Sequence, residues 1–197
     1  AVRRAACALM MTLCLALTGC GGQATDEVDQ LTLDIRGEYL AMTSCAAQAV
    51  VTADYGQRVY RYELSAAVNG EEALLTLTAP ETVAGLTARI EEDEGWLEYD
   101  GAILETGELA PGGLTPMGAI PALLETARSG YLDTCVLEEL GEVQALRVVS
   151  RDPEEKQGSG TETTLWFDAA THALVRGEIS QDGVCVLQCE FSQFTKE

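Results

Sequence analysis

Histidine is almost missing from this chain of 197 residues; His172 is the single one. A serine or thiol hydrolase needs a base beside its nucleophile. No nucleophile-elbow motif and no Cys–His spacing is present to supply that pairing. Beside Thr171, His172 reads as a turn residue. Basic residues are scarce as well: 12 Lys and Arg stand against 32 Asp and Glu, a formal net charge of −20. A surface of that sign repels nucleic acid and anionic head groups, so no nucleic-acid partner is expected. There is no Cys-x-x-Cys pair for zinc. The acidic run Glu91-Glu92-Asp93-Glu94 lacks the alternating acids and glycine of a calcium loop and reads as a solvated hairpin tip. No metal, no cofactor and no enzymatic activity are expected. No apolar run reaches the roughly 20 residues that a membrane-crossing helix requires.

What is present starts at the N-terminus. Arg3 and Arg4 precede an apolar run from Ala5 to Leu17, and the chain then reads Leu17-Thr18-Gly19-Cys20. A basic patch, a short apolar stretch and small residues before a cleavage point form a secretory signal. The four residues ending at Cys20 resemble the lipobox of bacterial lipoproteins. That resemblance implies that residues 1–19 are removed and that Cys20 carries a diacylglycerol. The protein is then expected on the extracytoplasmic side of the cell membrane, held by its acyl chains. Each buried CH₂ contributes about 0.8 kcal/mol, so two chains anchor firmly without a basic face. Residues 20–25 are expected to be the lipidated N-terminus and a tether, and 26–197 to be one domain of ordinary size.

Past Cys20 the chain keeps Cys45, Cys135, Cys185 and Cys189. An exported protein can hold disulfides. On a strand over 184–191, Cys185 and Cys189 share a face about 13 Å apart, beyond the roughly 7 Å between Cα atoms that a bridge tolerates. Each could pair with Cys45 or Cys135, or all four could be small buried apolar residues.

Hydrophobic periodicity gives the rest. Val28, Leu31, Ile35, Tyr39 and Met42 recur at steps of three and four, which predicts a helix from Thr25 or Asp26 to near Ser44. Strands follow. Residues 48–54 are small and β-branched. Tyr60, Tyr62, Leu64, Ala66 and Val68 alternate with polar residues, and Asn69-Gly70 signals a hairpin. The return strand alternates through Ala73, Leu75 and Leu77. Residues 80–85 read as one helical turn. Short strands are expected over 87–91, 96–99 and 102–106, with Asp100-Gly101 between the last two. A loop at Pro111–Pro116 leads to a helix over 122–128, with Pro121 at its start. Strands are then expected over 142–151, 162–168, 174–180 and 184–191.

Helix, run of strands, helical insertion and run of strands make an α+β domain. Two helices cannot cover both faces of a parallel sheet. The expectation is a single curved antiparallel sheet whose concave face is covered by the N-terminal helix and the helical insertion. The apolar residues assigned to that inner face are Tyr60, Tyr62, Leu64, Leu75, Leu77, Trp96, Leu165 and Phe167. They could form an ordinary core or line a ligand cavity, because both use the same residue types.

One block is more specific. Leu165-Trp166-Phe167-Asp168, Thr171, Leu174-Val175-Arg176-Gly177-Glu178-Ile179, the turn at Gly183 and the closing Phe191 and Phe194 resemble the Lol-type lipoprotein carriers. Related lipid-binding lipoproteins of mycobacteria and sigma-factor regulation share the pattern. The resemblance implies an open half-barrel with helices in its mouth and a hydrophobic cavity for acyl chains. This chain differs in lacking a Pro beside the return strand, where Ala173-Leu174 stands. The soluble carriers are also not lipidated, so Cys20 points to an anchored acceptor, lipid holder or sensor. The expected function is a membrane-anchored, non-enzymatic lipoprotein binding a lipid, acylated polypeptide or other hydrophobic ligand. The alternative is an envelope protein-interaction or sensory domain of the same fold with no bound lipid.

Overall fold

In the computed structural model the described residues are 22–91, 94–107, 109 and 113–197. The apolar stripe predicted near the N-terminus does form a helix, α1 (Gly22–Ala41). Its inward residues Ile35 and Tyr39 are buried, and Val28 and Leu31 pack at the core's margin. The helix starts several residues before the expected caps and stops at Ala41. Strand β1 begins at Ser44 rather than Gln48 and runs to Asp54. The small residues Cys45, Ala47 and Ala49 are buried there, alternating with exposed neighbours, which is a strand pattern that their low bulk hides in the sequence.

The eleven strands among the described residues belong to one antiparallel sheet, ordered β6-β5-β4-β3-β2-β1-β11-β10-β9-β8-β7. They are β2 (Val59–Asn69), β3 (Glu72–Ala79), β4 (Thr87–Glu91), β5 (Glu94–Tyr99) and β6 (Ala102–Glu105). After the second helix come β7 (Leu132–Leu140), β8 (Val143–Arg151), β9 (Thr161–Asp168), β10 (Leu174–Gln181) and β11 (Val184–Lys196). The sheet stays open, with β6 and β7 at its two edges. It is the expected α+β half-barrel: a single antiparallel sheet with helices on the inner face. Two-residue turns set much of the register. Asp100-Gly101 and Asp182-Gly183 have φ of 49° and 77°, and 52° and 77°. Positive φ at both positions matches the right-handed twist of the flanking strands, and Asp and Gly tolerate it.

Three expectations need correction. Residues 80–85 form turns, not a helix. Strand β7 adds to the expected strands, since Leu-Asp-Thr-Cys-Val-Leu-Glu-Glu-Leu has no clean alternation; as an edge strand it needs none. The insertion helix, α2 (Pro116–Ser129), starts before Pro121, which lies inside it. Thr115 caps it by accepting a hydrogen bond from the Gly118 N–H at 3.1 Å, and Pro116 takes the first turn.

Helix α2 sits in the concavity against β9, β10, β11 and β1, and α1 packs beside α2, β7 and β8. Ile120, Leu123 and Leu124 of α2 are essentially unexposed. Gly177 of β10 lets the helix approach: a Cβ there would lie 2.6 Å from Leu123 Cδ1. Arg36 of α1 donates to the Arg128 and Gly130 carbonyls at 2.7 and 2.8 Å, which ties the two helices at the end of α2.

Candidate functional site

Seven of the eight residues assigned to the inner face are there. Tyr60, Tyr62 and Leu64 oppose Ala53, Val51 and Ala49 of β1; Leu64 and Ala66 oppose Leu77 and Leu75 of β3. Leu165 opposes Gly177, and Phe167 opposes Leu174. The eighth is a correction. Trp96 opposes Arg89, while its neighbour Leu97 opposes Ala88, which is buried. Trp96 therefore points to the outer face. The hairpin at Asp100-Gly101 continues this: it pairs Leu97 with Leu104 on the inner side and leaves Trp96, Glu98, Ile103 and Glu105 on the other.

Among the described residues the inner face is packed. Leu64, Leu75, Leu77, Leu165 and Phe167 are at most 4% exposed. The void beside Leu165 and Phe167, bounded also by Ile35 and Ala127, measures about 10 Å³, the room of one water. Tyr60 and Tyr62 lie at the rim, where the sheet runs past the helices. Their rings stack at 6.3 Å, Tyr55 lies 6.2 Å from Tyr60, and the Tyr55 hydroxyl donates to the Leu114 carbonyl at 3.1 Å.

The block that carries the family resemblance holds the structure together on both faces. Asp168 accepts from the Ala170 and Thr171 N–H groups at 2.8 Å each, which holds the turn. His172 adopts φ 58° in that turn. Its Nδ1 meets Glu38 of α1 at 2.8 Å, and Lys196 Nζ meets the other Glu38 oxygen at 3.0 Å. Burial raises the Glu38 carboxyl pKa, but the His172 and Lys196 hydrogen bonds outweigh it and leave it below the ordinary value. On the outer face Arg176 lies 5.1 Å above the Trp166 ring, and Trp166 Nε1 donates to Glu138 at 2.6 Å. Arg147 Nε meets the other Glu138 oxygen at 3.0 Å. The Trp166 hydrogen bond chiefly lowers the Glu138 pKa, with help from Arg147 against partial burial.

Cys45 and Cys189 are buried, Cys135 half-buried and Cys185 exposed, all as free thiols. Burial pushes the Cys189 pKa up to about 12, so it behaves as an apolar core residue. Among the described residues, no three His, Cys, Asp or Glu side chains are grouped to hold a metal, and no helix is long and apolar enough to cross a membrane. Cys20 lies outside the described residues.

A feature not foreseen from the sequence is an outer groove of about 330 Å³ on the terminal hairpins, lined by Leu74, Arg89, Glu91, Trp96, Glu98 and Ile103 among others. The turn at Asp100-Gly101 signals the hairpin, but which of its faces turns outward follows from the pairing of β5 with β4.

No family model matches the sequence, and no curated protein matches it. Solved structures do match. An uncharacterized conserved protein from Thermus thermophilus superposes with a TM-score of 0.51 at 14% identity, over 86% of this chain and 87% of that one. The fold is an open half-barrel, as the C-terminal block implies. A putative outer membrane lipoprotein-sorting protein domain from Vibrio parahaemolyticus gives 0.46 at 12% identity, over 87% and 91% of the chains. A LolA superfamily protein from Nitrosomonas europaea gives 0.43 at 10%, over 86% and 93%. At such identities the likeness is one of fold.

Proposed function

We propose that this protein is a non-enzymatic lipoprotein of the cell envelope, anchored through Cys20 on the extracytoplasmic side, whose half-barrel binds a partner protein. The observation that carries the reading is the packed inner face. Ligand pockets for molecules of drug size span about 300–1,000 Å³, and the void beside Leu165 and Phe167 is about 10 Å³. The apolar residues left for contact are on the outside, among them Tyr55 at the rim, Tyr99, Ile103 and Leu104 on the terminal hairpins, and Leu33 and Leu40 on α1. Acidic surface around them favours a partner of opposite charge.

A second reading, a lipid or acylated ligand held inside the half-barrel, has one observation in its favour: the inner face is largely apolar, and the two helices, not side chains of the sheet alone, fill it. Displacing α2 would open that face. One experiment separates the two. A fluorescent fatty-acid probe is titrated against wild type and Leu64→Trp, beside urea melts of both. The partner-protein reading expects no saturable probe binding and a variant destabilised by about 1–3 kcal/mol through overpacking. Saturable binding that Leu64→Trp weakens without lowering the midpoint would establish the lipid reading in its place.

A further inference from the structure

The sheet has two edges, and they are treated differently. Strand β7 is packed against by α1, and its Cys135 is half-buried. Strand β6 ends the sheet at the other side, and no described strand follows it. In an antiparallel edge strand, alternate residues turn their N–H and C=O groups away from the sheet. Natural proteins usually blunt such an edge by keeping it short or with charged side chains, Pro, a bulge or a covering element; β6 is short, at four residues, and carries one charge, Glu105. Ala102-Ile103-Leu104-Glu105 has neither Pro nor Lys, and its register with β5 runs without a bulge. Ile103 is 70% exposed and Leu104 63% exposed. Beside this edge runs the outer groove floored by Trp96 and Leu74.

We propose that β6 accepts an extended segment of a partner protein as a twelfth strand, and that the segment alternates basic and apolar residues. This rests on the partner-protein reading and specifies its surface. Backbone pairing along β6 supplies affinity, and alternate side chains meet the groove, the pattern of strand addition. The apolar side chains fall on the inner side of the sheet, beside Leu104, while the basic ones fall on the outer side with the groove. Basic side chains face Glu91, Glu98 and Glu105. Of the residues lining the groove, Arg89 is the one base, and it is paired with Glu72 at 3.3 Å. The same charges disfavour a second copy as occupant. A second copy carries the same net charge of −20 and brings its own Glu98, Asp100 and Glu105 to this edge rather than the basic side chains that would complement it.

The test uses the full chain in detergent and the fluorescence of Trp96 as reporter. The probe is an acetylated, amidated decapeptide of alternating Lys and Val. Three controls accompany it: the Glu–Val decapeptide, a Lys–Val decapeptide N-methylated at alternate amides, and the Ile103→Lys variant. The proposal expects saturable binding of the Lys–Val peptide that weakens with salt. It expects at least tenfold weaker binding for each control. Ile103 is an exposed side chain, so its replacement leaves the fold intact, which an unchanged urea midpoint verifies. Equal binding of the N-methylated peptide, or no effect of Ile103→Lys, would overturn the edge as the site. Concentration-dependent dimerisation abolished by Ile103→Lys, with no peptide binding, would overturn it in favour of self-pairing. Absence of peptide binding overturns this proposal alone; the partner-protein reading falls separately, on saturable fatty-acid binding.

Discussion

If the half-barrel is closed by packing, then Leu123 is where the closure can be measured. Leu123 is fully buried, and it lies directly over Gly177, where an added Cβ would stand 2.6 and 2.8 Å from its two methyl carbons. Leu123→Ala removes those methyls from the centre of the α2–sheet contact. A buried Leu→Ala costs about 2–5 kcal/mol, the upper part arising when the surroundings cannot collapse. Strands β9 to β11 and β1 hold the floor rigidly, so about 3 kcal/mol is expected. For a domain of this size that lowers Tm by roughly 6–12 °C. Gly177→Ala alone should cost about 1–3 kcal/mol, because the new methyl overpacks against Leu123. In the double variant the methyl occupies room that Leu123 has vacated. The double cost should then fall short of the sum of the singles by about 1 kcal/mol or more. Urea melts of the four proteins with a common slope measure this. Leu123→Ala costing under about 1 kcal/mol, or additivity within about 0.5 kcal/mol, would refute the packed inner face.

Three further outcomes follow from the same contacts. Trp166→Phe removes the chief cause of the lowered Glu138 pKa, so that pKa should rise toward the ordinary value in an NMR titration. A lowered folded-state pKa contributes stability that is present above the unfolded value, about 4.3 for Glu, and is lost as pH falls through the folded value; the variant should lose less stability than wild type on acidification across that window. Glu38 is 42% exposed in its pairs with His172 and Lys196, so a Glu38→Gln and Lys196→Met cycle should give a coupling of about 0.2–1 kcal/mol, and a value above about 2 would show that this latch is not screened by solvent. Cys20→Ala should move the protein from the membrane fraction to the soluble fraction of expressing cells; retention in the pellet would remove the lipid anchor from the proposed function.

By itself the sequence determined the class of fold and most of its elements. Steps of three and four placed Ile35 and Tyr39 on the buried side of α1, and strict alternation placed Leu64, Leu75 and Leu77 on one face, because helix and strand periods are fixed by backbone geometry. Two-residue turns at Asp100-Gly101 and Asp182-Gly183 marked hairpins, because few residues accept positive φ. Local pattern does not extend to the edge strand β7, whose sides are not divided between core and water. Nor did it reveal α2 ahead of Pro121, where burial of Met117, Ala119 and Ile120 supports the turn that precedes an internal proline. Two matters belonged to tertiary structure alone. One is whether the inner face is hollow or filled, which depends on how closely Leu123 approaches Gly177, two residues far apart in the chain. The other is the outward aim of Trp96 beside the edge strand β6. Its hydrophobicity is the same on either face of the sheet, and only the register of the hairpins decides which side it takes.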